Sequence, residues 1–544
     1  MEEHWTSLRE ALSLAAKETI GYKHKRNQDW FDESDESIIA PLIKAKILTR
    51  LAFENHPTPV NKDRHRRALA DCQRGIREAQ NTWWWRKAEE IQNYAEQREM
   101  MCFYNAIKEI YGPTRSSVGG LKNGEGTTTI TDTEGILLRW KSHFENLLND
   151  HPNIPDDFLR GTPQHPIQQW MVRPPSKIEF ENALKRMRPG KAPGPDNIPL
   201  EFFTMCGTEI QNHLLLLILK IWESGTVPQD FKDVIIVTIF KKGDREDCNN
   251  YRGISLLSIA GKILARILLD RLLVRAEQIL PESQSGFRPS RGTIDMIFCA
   301  RQLQEKSREH QQPLRFIFWD LKKAFDKVPR TALWAVLARY GCPPHYVSLV
   351  RALHDGMFGR VQHQGSLSDP FAINEGLRQG DPLASVAFSM YVAALMNEVP
   401  PEIQGIDLRY RMDGGLHNTK RFRTRNRTNN FSVRELQYAD DSATPTHTAE
   451  DLQRAASAFN NAYERFGMQV NTEKTKTLFQ HPPGEVMPNT DITLGERQLE
   501  EVTLGERQLE EVEQFSYLGS ILTTSATCRT EAESRIRAAH AAFG

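Results

Sequence analysis

Two apolar runs of this chain end in aspartate. Phe316-Ile317-Phe318-Trp319 leads into Asp320, and Leu436-Gln437-Tyr438-Ala439 leads into Asp440 and Asp441. Both read as strand ends. A single Asp at a solvated sheet rim costs little, and that ordinary reading covers Asp320 taken alone. The doublet is less comfortable, because adjacent carboxylates repel and raise each other's pKa unless cations neutralise them. Hard divalent cations take such oxygens, and two ions about 4 Å apart can activate an attacking oxygen and stabilise a leaving one.

The rest of the composition sets limits. At 544 residues the chain is long enough for two to four structural units. With 39% hydrophobic and 26% charged residues it is a globular sequence, not a wholly disordered one. Apolar runs such as Ala332–Ala338 and Met390–Met396 fall short of the roughly 18 residues of a membrane span. Met1-Glu2-Glu3-His4 lacks the charge and apolar stretch of a secretory signal. Seven cysteines with no CxxC pair argue against a disulfide framework or zinc knuckle. A soluble, intracellular setting is expected. Lys plus Arg equals Asp plus Glu at 70 each, so any nucleic-acid affinity must be local. From Arg409 to Arg434 there are eight Lys or Arg against one acid, Asp413.

Residues 1–110 read as mostly helical, with no proline from Asn61 to Tyr111 and apolar residues at Trp84, Ala88, Ile91 and Ala95. Trp83, Trp84 and Trp85 cannot all point one way; they either staple a helical domain or stack bases. A helix is expected over Gly135–Leu148, and the proline-rich stretch Pro152–Pro175 reads as a surface linker. Val234–Phe240 and Leu314–Trp319 are strands by composition, Ile254–Glu277 is a helix, and Thr331–Tyr340 is a helix stopped by Gly341. Thr493–Val502 recurs without change as Thr503–Val512, a local duplication that enlarges a loop.

An ordered series of motifs surrounds the acids. Gly190-Lys-Ala-Pro-Gly-Pro-Asp196 comes first, then Phe240-Lys241-Lys242-Gly243-Asp244 and Asn250-Tyr251-Arg252-Gly253-Ile254-Ser255. Gln284-Ser285-Gly286-Phe287-Arg288 precedes the first acid. After it stand Lys322-Lys323-Ala324-Phe325-Asp326 and Gly376-Leu377-Arg378-Gln379-Gly380-Asp381-Pro382-Leu383. Beyond the doublet lie Gly467 to Lys476 and Phe515-Ser516-Tyr517-Leu518-Gly519-Ser520. Each is weak alone. In this order the set resembles the reverse transcriptase of non-LTR (LINE-type, jockey-like) retrotransposons, over nearly the whole chain and as the central part of a second open reading frame.

The resemblance implies an α+β fold: a right-hand polymerase palm and fingers with an antiparallel palm sheet, helices on one face, preceded by a helical region. It divides the chain into a helical connector (1–112), an N-terminal extension with Pro/Gly-rich loops (113–220), fingers and palm (221–522) and the start of a thumb (523–544), the thumb being largely missing. Asp320, Asp440 and Asp441 would be catalytic and, with the Leu321 carbonyl, would bind two Mg2+ ions. Lys241, Lys242 and Arg252 would hold the triphosphate, although solvated lysines guarding a strand edge are the ordinary alternative. Phe325 would be a steric gate or a core ring. Gln379 and Gly380 would let the backbone approach the nascent pair. Lys474 would be the general acid, with Lys476 as runner-up. Gln284, Arg288 and Arg291 would contact template; Tyr517, Leu518 and Gly519 would form a primer grip. The basic stretch Lys420–Arg427 would either track RNA or be a mobile loop.

The partners implied are an RNA template, a DNA primer or nicked target DNA, and dNTP, with no membrane. Nuclear and cytoplasmic locations both fit, since target-primed synthesis needs nuclear access. Pro445, four residues after Asp441, would shorten the hairpin that carries the doublet. The function expected is RNA-directed DNA polymerisation; the alternative is a catalytically inactive remnant that at most binds nucleic acid.

Overall fold

In a computed structural model, the described residues are 1–19, 21, 33–111, 120–205, 207–411, 428–484, 491–494 and 507–543. The stretch Lys420–Arg427 and most of the duplication lie outside them. The chain divides into two compact units, residues 14–118 and residues 1–13 with 119–544.

The first unit is helical: α1 (Glu33–Asn55), α2 (Pro59–Glu96) and α3 (Met100–Tyr111). Helix α2 starts where Thr58 accepts from the Asn61 N–H and Pro59 supplies a preset φ at the first position. The expected mostly helical stretch reaches Tyr111 with one interruption. It breaks at Gln97–Glu99, where Arg98 takes a left-handed φ of 59°. Lys87 then ties α2 to α3 through Glu109 at 2.6 Å. Trp83 meets Trp84 edge to face at 4.9 Å, while Trp84 and Trp85 are 51% and 79% exposed.

The second unit is α+β. Helix α4 (Thr133–Leu147), capped by Asp132, sets Trp140 edge-on to Tyr251 at 5.1 Å. Residues Pro152–Pro175 are not a surface linker: Phe158, Thr162 and Met171 are buried, and Arg271 donates to the Met171 and Arg173 carbonyls. The segment runs through turns and a short 3-10 helix over Gln169–Val172, and its apolar residues plug into the core. Strands β1 (Val234–Phe240) and β2 (Tyr251–Leu256) form an antiparallel hairpin, Val237 opposite Ile254. A strand over Met357–His363 adds to β1 in parallel. Ile254–Leu256 is therefore strand. The expected helix starts later, as α5 (Ile259–Ile279), because Ser258 caps it by accepting from the Gly261 N–H.

Three helices flank the second sheet: α6 (Thr293–Glu309), α7 (Ala384–Asn397) and α8 (Ala449–Arg465). Its strands are β3 (Leu314–Trp319), β4 (Leu436–Tyr438), β5 (Asp441–Thr446), β6 (Lys476–Gln480) and β7 (Glu510–Glu511), in spatial order β4-β5-β3-β6-β7. All contacts in it are antiparallel except β6 with β7. Every residue of β3 is buried, so both faces are covered. Phe316 and Phe318 join Met296, Ala300 and Leu303 of α6, together with the hairpin β8 (Gln514–Tyr517) and β9 (Ser520–Thr523). Ile317 and Trp319 face the main core, where Trp319 lies on Phe459 of α8 at 5.8 Å. Helices on one face alone would leave the Phe316/Phe318 side wet. Val470 contributes only a single bridge to Leu321; the strand itself begins at Lys476. Pro445 does not end β5. It sits opposite Phe316, and β4 stops opposite Ala443, so no described strand lies on that side to miss a donor.

Candidate active site

The register brings the acids together. Ser442 pairs with Trp319, so the residues that follow at that sheet edge, Asp441 and Asp320, stand across from each other. Tyr438 pairs with Asp441, leaving Ala439 and Asp440 as a two-residue turn. Ala439 has φ 60°, a conformation that favours glycine and costs an L-residue about 1–2 kcal/mol. The segment below holds it there. The Gln284 Oε1 accepts from the Ala439 N–H at 3.0 Å and from the Gly286 N–H at 2.8 Å. A Cβ on Gly286 would lie 2.3 Å from the Ala439 nitrogen.

Asp320 is fixed from the opposite flank. Its N–H donates to Thr475 Oγ1 at 3.2 Å and its carbonyl accepts from the Asn471 N–H at 2.8 Å. The turn that supplies both places Lys474 Nζ 3.9 Å from Asp320 Oδ2. Lys476 pairs instead with Glu510 of β7 at 2.5 Å.

The electrostatics follow from this crowding. Desolvation raises the Asp440 carboxyl, which Asp320 also raises, while Arg252 and Lys241 pull the other way. Asp441 lies at the mouth, yet loss of surrounding water and then repulsion from Asp440 and Asp320 push it up to about 6. Among the described residues, no three His, Cys, Asp or Glu side chains stand within reach of one common ion. The donors are nevertheless hard oxygens whose mutual repulsion a divalent cation would relieve, so Asp320, Asp440 and Asp441 suit magnesium in kind.

Cations from another element face these acids. Lys241 follows β1 and Arg252 lies on β2, at the tip of the first hairpin. Desolvation, then the charges of Arg252, Lys323 and Lys474, lower the Lys241 pKa, and Asp326 opposes them. Lys242 is exposed on the adjoining turn. Phe325 stacks on Phe388 at 4.3 Å and meets Phe287 edge-on at 6.4 Å. Gln379 donates through Nε2 to Asp326 Oδ1 at 2.7 Å, and its carbonyl accepts from the Ser255 N–H of β2 at 2.8 Å. Gly380 has φ 132°, and a Cβ there would lie 2.5 Å from the Ser255 oxygen.

The expected template residues fare differently. Gln284 is fully buried and used on the doublet turn. Arg288 is buried and held by Glu277 and by the Pro281 and Gln284 carbonyls. Neither is available to a phosphate in this arrangement, because both brace the segment under Ala439. Arg291 remains at the surface, paired with Glu282 at 2.6 Å. Tyr517, Leu518 and Gly519 form the tip of the β8–β9 hairpin, with positive φ at Leu518 and Gly519. The Tyr517 hydroxyl donates inward to the Leu436 carbonyl at 3.0 Å. Lys323 and Asp326 lie inside a motif already singled out, yet had no role there. Lys323 has a φ of 51° and its Nζ lies 3.4 Å from the Tyr251 carbonyl of the hairpin, a backbone conformation and contact that residue type does not signal.

Paired strand ends carrying three carboxylates, faced by a cationic hairpin, are what a nucleotidyl-transferring enzyme needs. The profile of the family described as reverse transcriptase (RNA-dependent DNA polymerase) matches residues 239–522, more than half the chain. The chain belongs to that family. It is 25% identical over 378 residues to the RNA-directed DNA polymerase from mobile element jockey of Drosophila melanogaster, covering 66% of this chain and 38% of that protein. It is 27% identical over 290 residues to the Transposon TX1 uncharacterized 149 kDa protein of Xenopus laevis, covering 52% of this chain and 22% of that one. With the Retrovirus-related Pol polyprotein from type-1 retrotransposable element R2 of Bradysia coprophila it shares 24% identity over 373 residues, 68% and 39% of the two chains. The chain thus spans well under half the length of these relatives.

Proposed function

We propose that this chain is the catalytic core of an RNA-directed DNA polymerase of a non-LTR retrotransposon, extending a primer 3′-hydroxyl with dNTP on an RNA template. The observation that carries the reading is the meeting of Asp320, Asp440, Asp441 and Lys474 at one sheet edge, opposite Lys241 and Arg252. In this reading the β4-β5-β3-β6 sheet is the palm and the β1–β2 hairpin belongs to the fingers. Residues 1–112 are then a connector, 113–220 an N-terminal extension, 221–522 fingers and palm, and 523–544 the start of a thumb.

The three carboxylates and the Leu321 carbonyl would hold two magnesium ions, which when bound neutralise charge and acidify the primer hydroxyl. The chain's own residues do the rest. Lys241, Lys242 and Arg252 grip the triphosphate. The 3′-hydroxyl loses its proton to solvent as its oxygen attacks the α-phosphorus, the bond to the bridging oxygen breaks, and Lys474 passes a proton to departing pyrophosphate. Phe325, backed by Phe388, crowds a ribose 2′-hydroxyl. Gln379 and Gly380 bring backbone close to the nascent pair. The β8–β9 tip at Tyr517, Leu518 and Gly519 supports the primer, which is DNA or nicked target DNA, and Arg291 meets template.

Incorporation of a single nucleotide opposite a ribonucleotide template base tests this. Wild type should add dNTP only with Mg2+, stop on chelation, and admit rNTP once Phe325→Ala is made. Folded protein that adds no nucleotide at low salt would reject the reading.

A further inference from the structure

Asp326 is a carboxylate that the proposed chemistry does not use. It lies beyond β3, in the turn that also carries Lys323 and Phe325, away from the strand edge shared by Asp320, Asp440 and Asp441. Residues 376–379 run alongside this turn. The Leu377 N–H donates to the Phe325 carbonyl at 2.8 Å and the Gly376 N–H to the Val328 carbonyl at 2.9 Å. Gly376 packs so closely that a Cβ would lie 2.4 Å from the Asp326 carbonyl oxygen. The third link is the side-chain bond from Gln379 Nε2 to Asp326 Oδ1 at 2.7 Å.

Gln379 passes the constraint on, because its own carbonyl takes the Ser255 N–H of β2. That strand also carries Arg252, and Lys323 Nζ reaches the Tyr251 carbonyl at 3.4 Å. Asp326 is thus bonded to one end of a chain of contacts whose other end is the cationic hairpin. Burial pushes the Asp326 carboxyl up to about 6, and the charges of Lys323, Lys241 and Arg252, with the Gln379 bond, pull against it.

We propose that Asp326 is a positioning residue for the nucleoside triphosphate: it fixes the Gln379 amide and, through Ser255, the seating of Lys241, Arg252 and Lys323. This rests on the polymerase reading of the same site.

The test is a double-mutant cycle on Asp326→Ala and Gln379→Ala, read two ways. The first is the equilibrium Kd of the folded protein for a fluorescent 2′-deoxynucleoside triphosphate with Mg2+; the second is KM and kcat in primer extension. Each single variant should weaken Kd and raise KM about tenfold, the value of one hydrogen bond, with kcat changed far less. The double variant should be no worse than either single one. Asp326→Asn, which keeps an acceptor for the Gln379 amide, should recover most of the loss. Additive losses, no rescue by Asn, or a lowered melting temperature with unchanged Kd and KM would overturn the assignment. Wild type that binds triphosphate but does not extend would reject the polymerase reading, while the Kd cycle still decides Asp326. Wild type that binds no triphosphate would overturn both.

Discussion

Asp441 shows the conflict between site and fold at the scale of one residue. Its carboxyl is pushed from 3.8 up to about 6 in the folded chain, so the fold holds the proton more tightly than the unfolded chain does. Stability from this group is therefore greatest at acid pH and falls as pH rises from about 4 through 6. Asp441→Asn should stabilise the protein in chelator at pH 7.5 by on the order of 1 kcal/mol, after allowing for the residue's exposure. For a chain this long that is a rise of about 1–2 °C in Tm. The gap should close below about pH 4, and added Mg2+ should raise the Tm of wild type more than that of the variant. Equal melting curves at pH 4 and pH 7.5 would contradict the assignment. The three acids were legible because apolar runs ending in Asp are conspicuous. The bracing roles of Gln284 and Arg288 were not, since Gln284 holds Ala439, 155 residues away in the sequence, and Arg288 in turn holds the Gln284 carbonyl. No local pattern carries that information.

At the scale of elements, the doublet turn and the segment beneath it act as one piece. Gly286→Ala places a methyl 2.3 Å from the Ala439 nitrogen, backbone that cannot swing aside. The turn must lift, at a cost of about 1–3 kcal/mol typical of overpacking. Primer extension should fall by more than tenfold while far-UV circular dichroism stays unchanged; wild-type rates in this variant would show that the turn is not braced from below. Strands β1 and β3 were readable from continuous β-branched and aromatic runs. β2 was not, because Ile254-Ser255-Leu256-Leu257 reads equally as the first turn of a helix until Ser258 is seen to cap α5. Pro445 read as shortening the doublet hairpin for the opposite reason. Its tolerance comes from the short β4, which the sequence around Pro445 does not announce.

At the scale of the molecule, the net charge of zero leaves no long-range pull on a polyanion. Binding of primer–template should rest on a few local cations. The slope of log Kd against log salt, measured by fluorescence anisotropy, should be shallow, on the order of 2–4; a slope near 8 would mean a phosphate-binding surface beyond the residues named here. Family membership covers residues 239–522, and the chain spans 22–39% of the three relatives described. The most direct measurement is therefore activity of this chain by itself: extension of a DNA primer on a poly-ribonucleotide template in Mg2+, beside the Asp440→Ala/Asp441→Ala double variant. Catalysis at the shared sheet edge predicts extension by wild type and none by the variant at equal folding. Extension that survives the double substitution would place the chemistry elsewhere, and no extension by folded wild type would leave the fold without the activity.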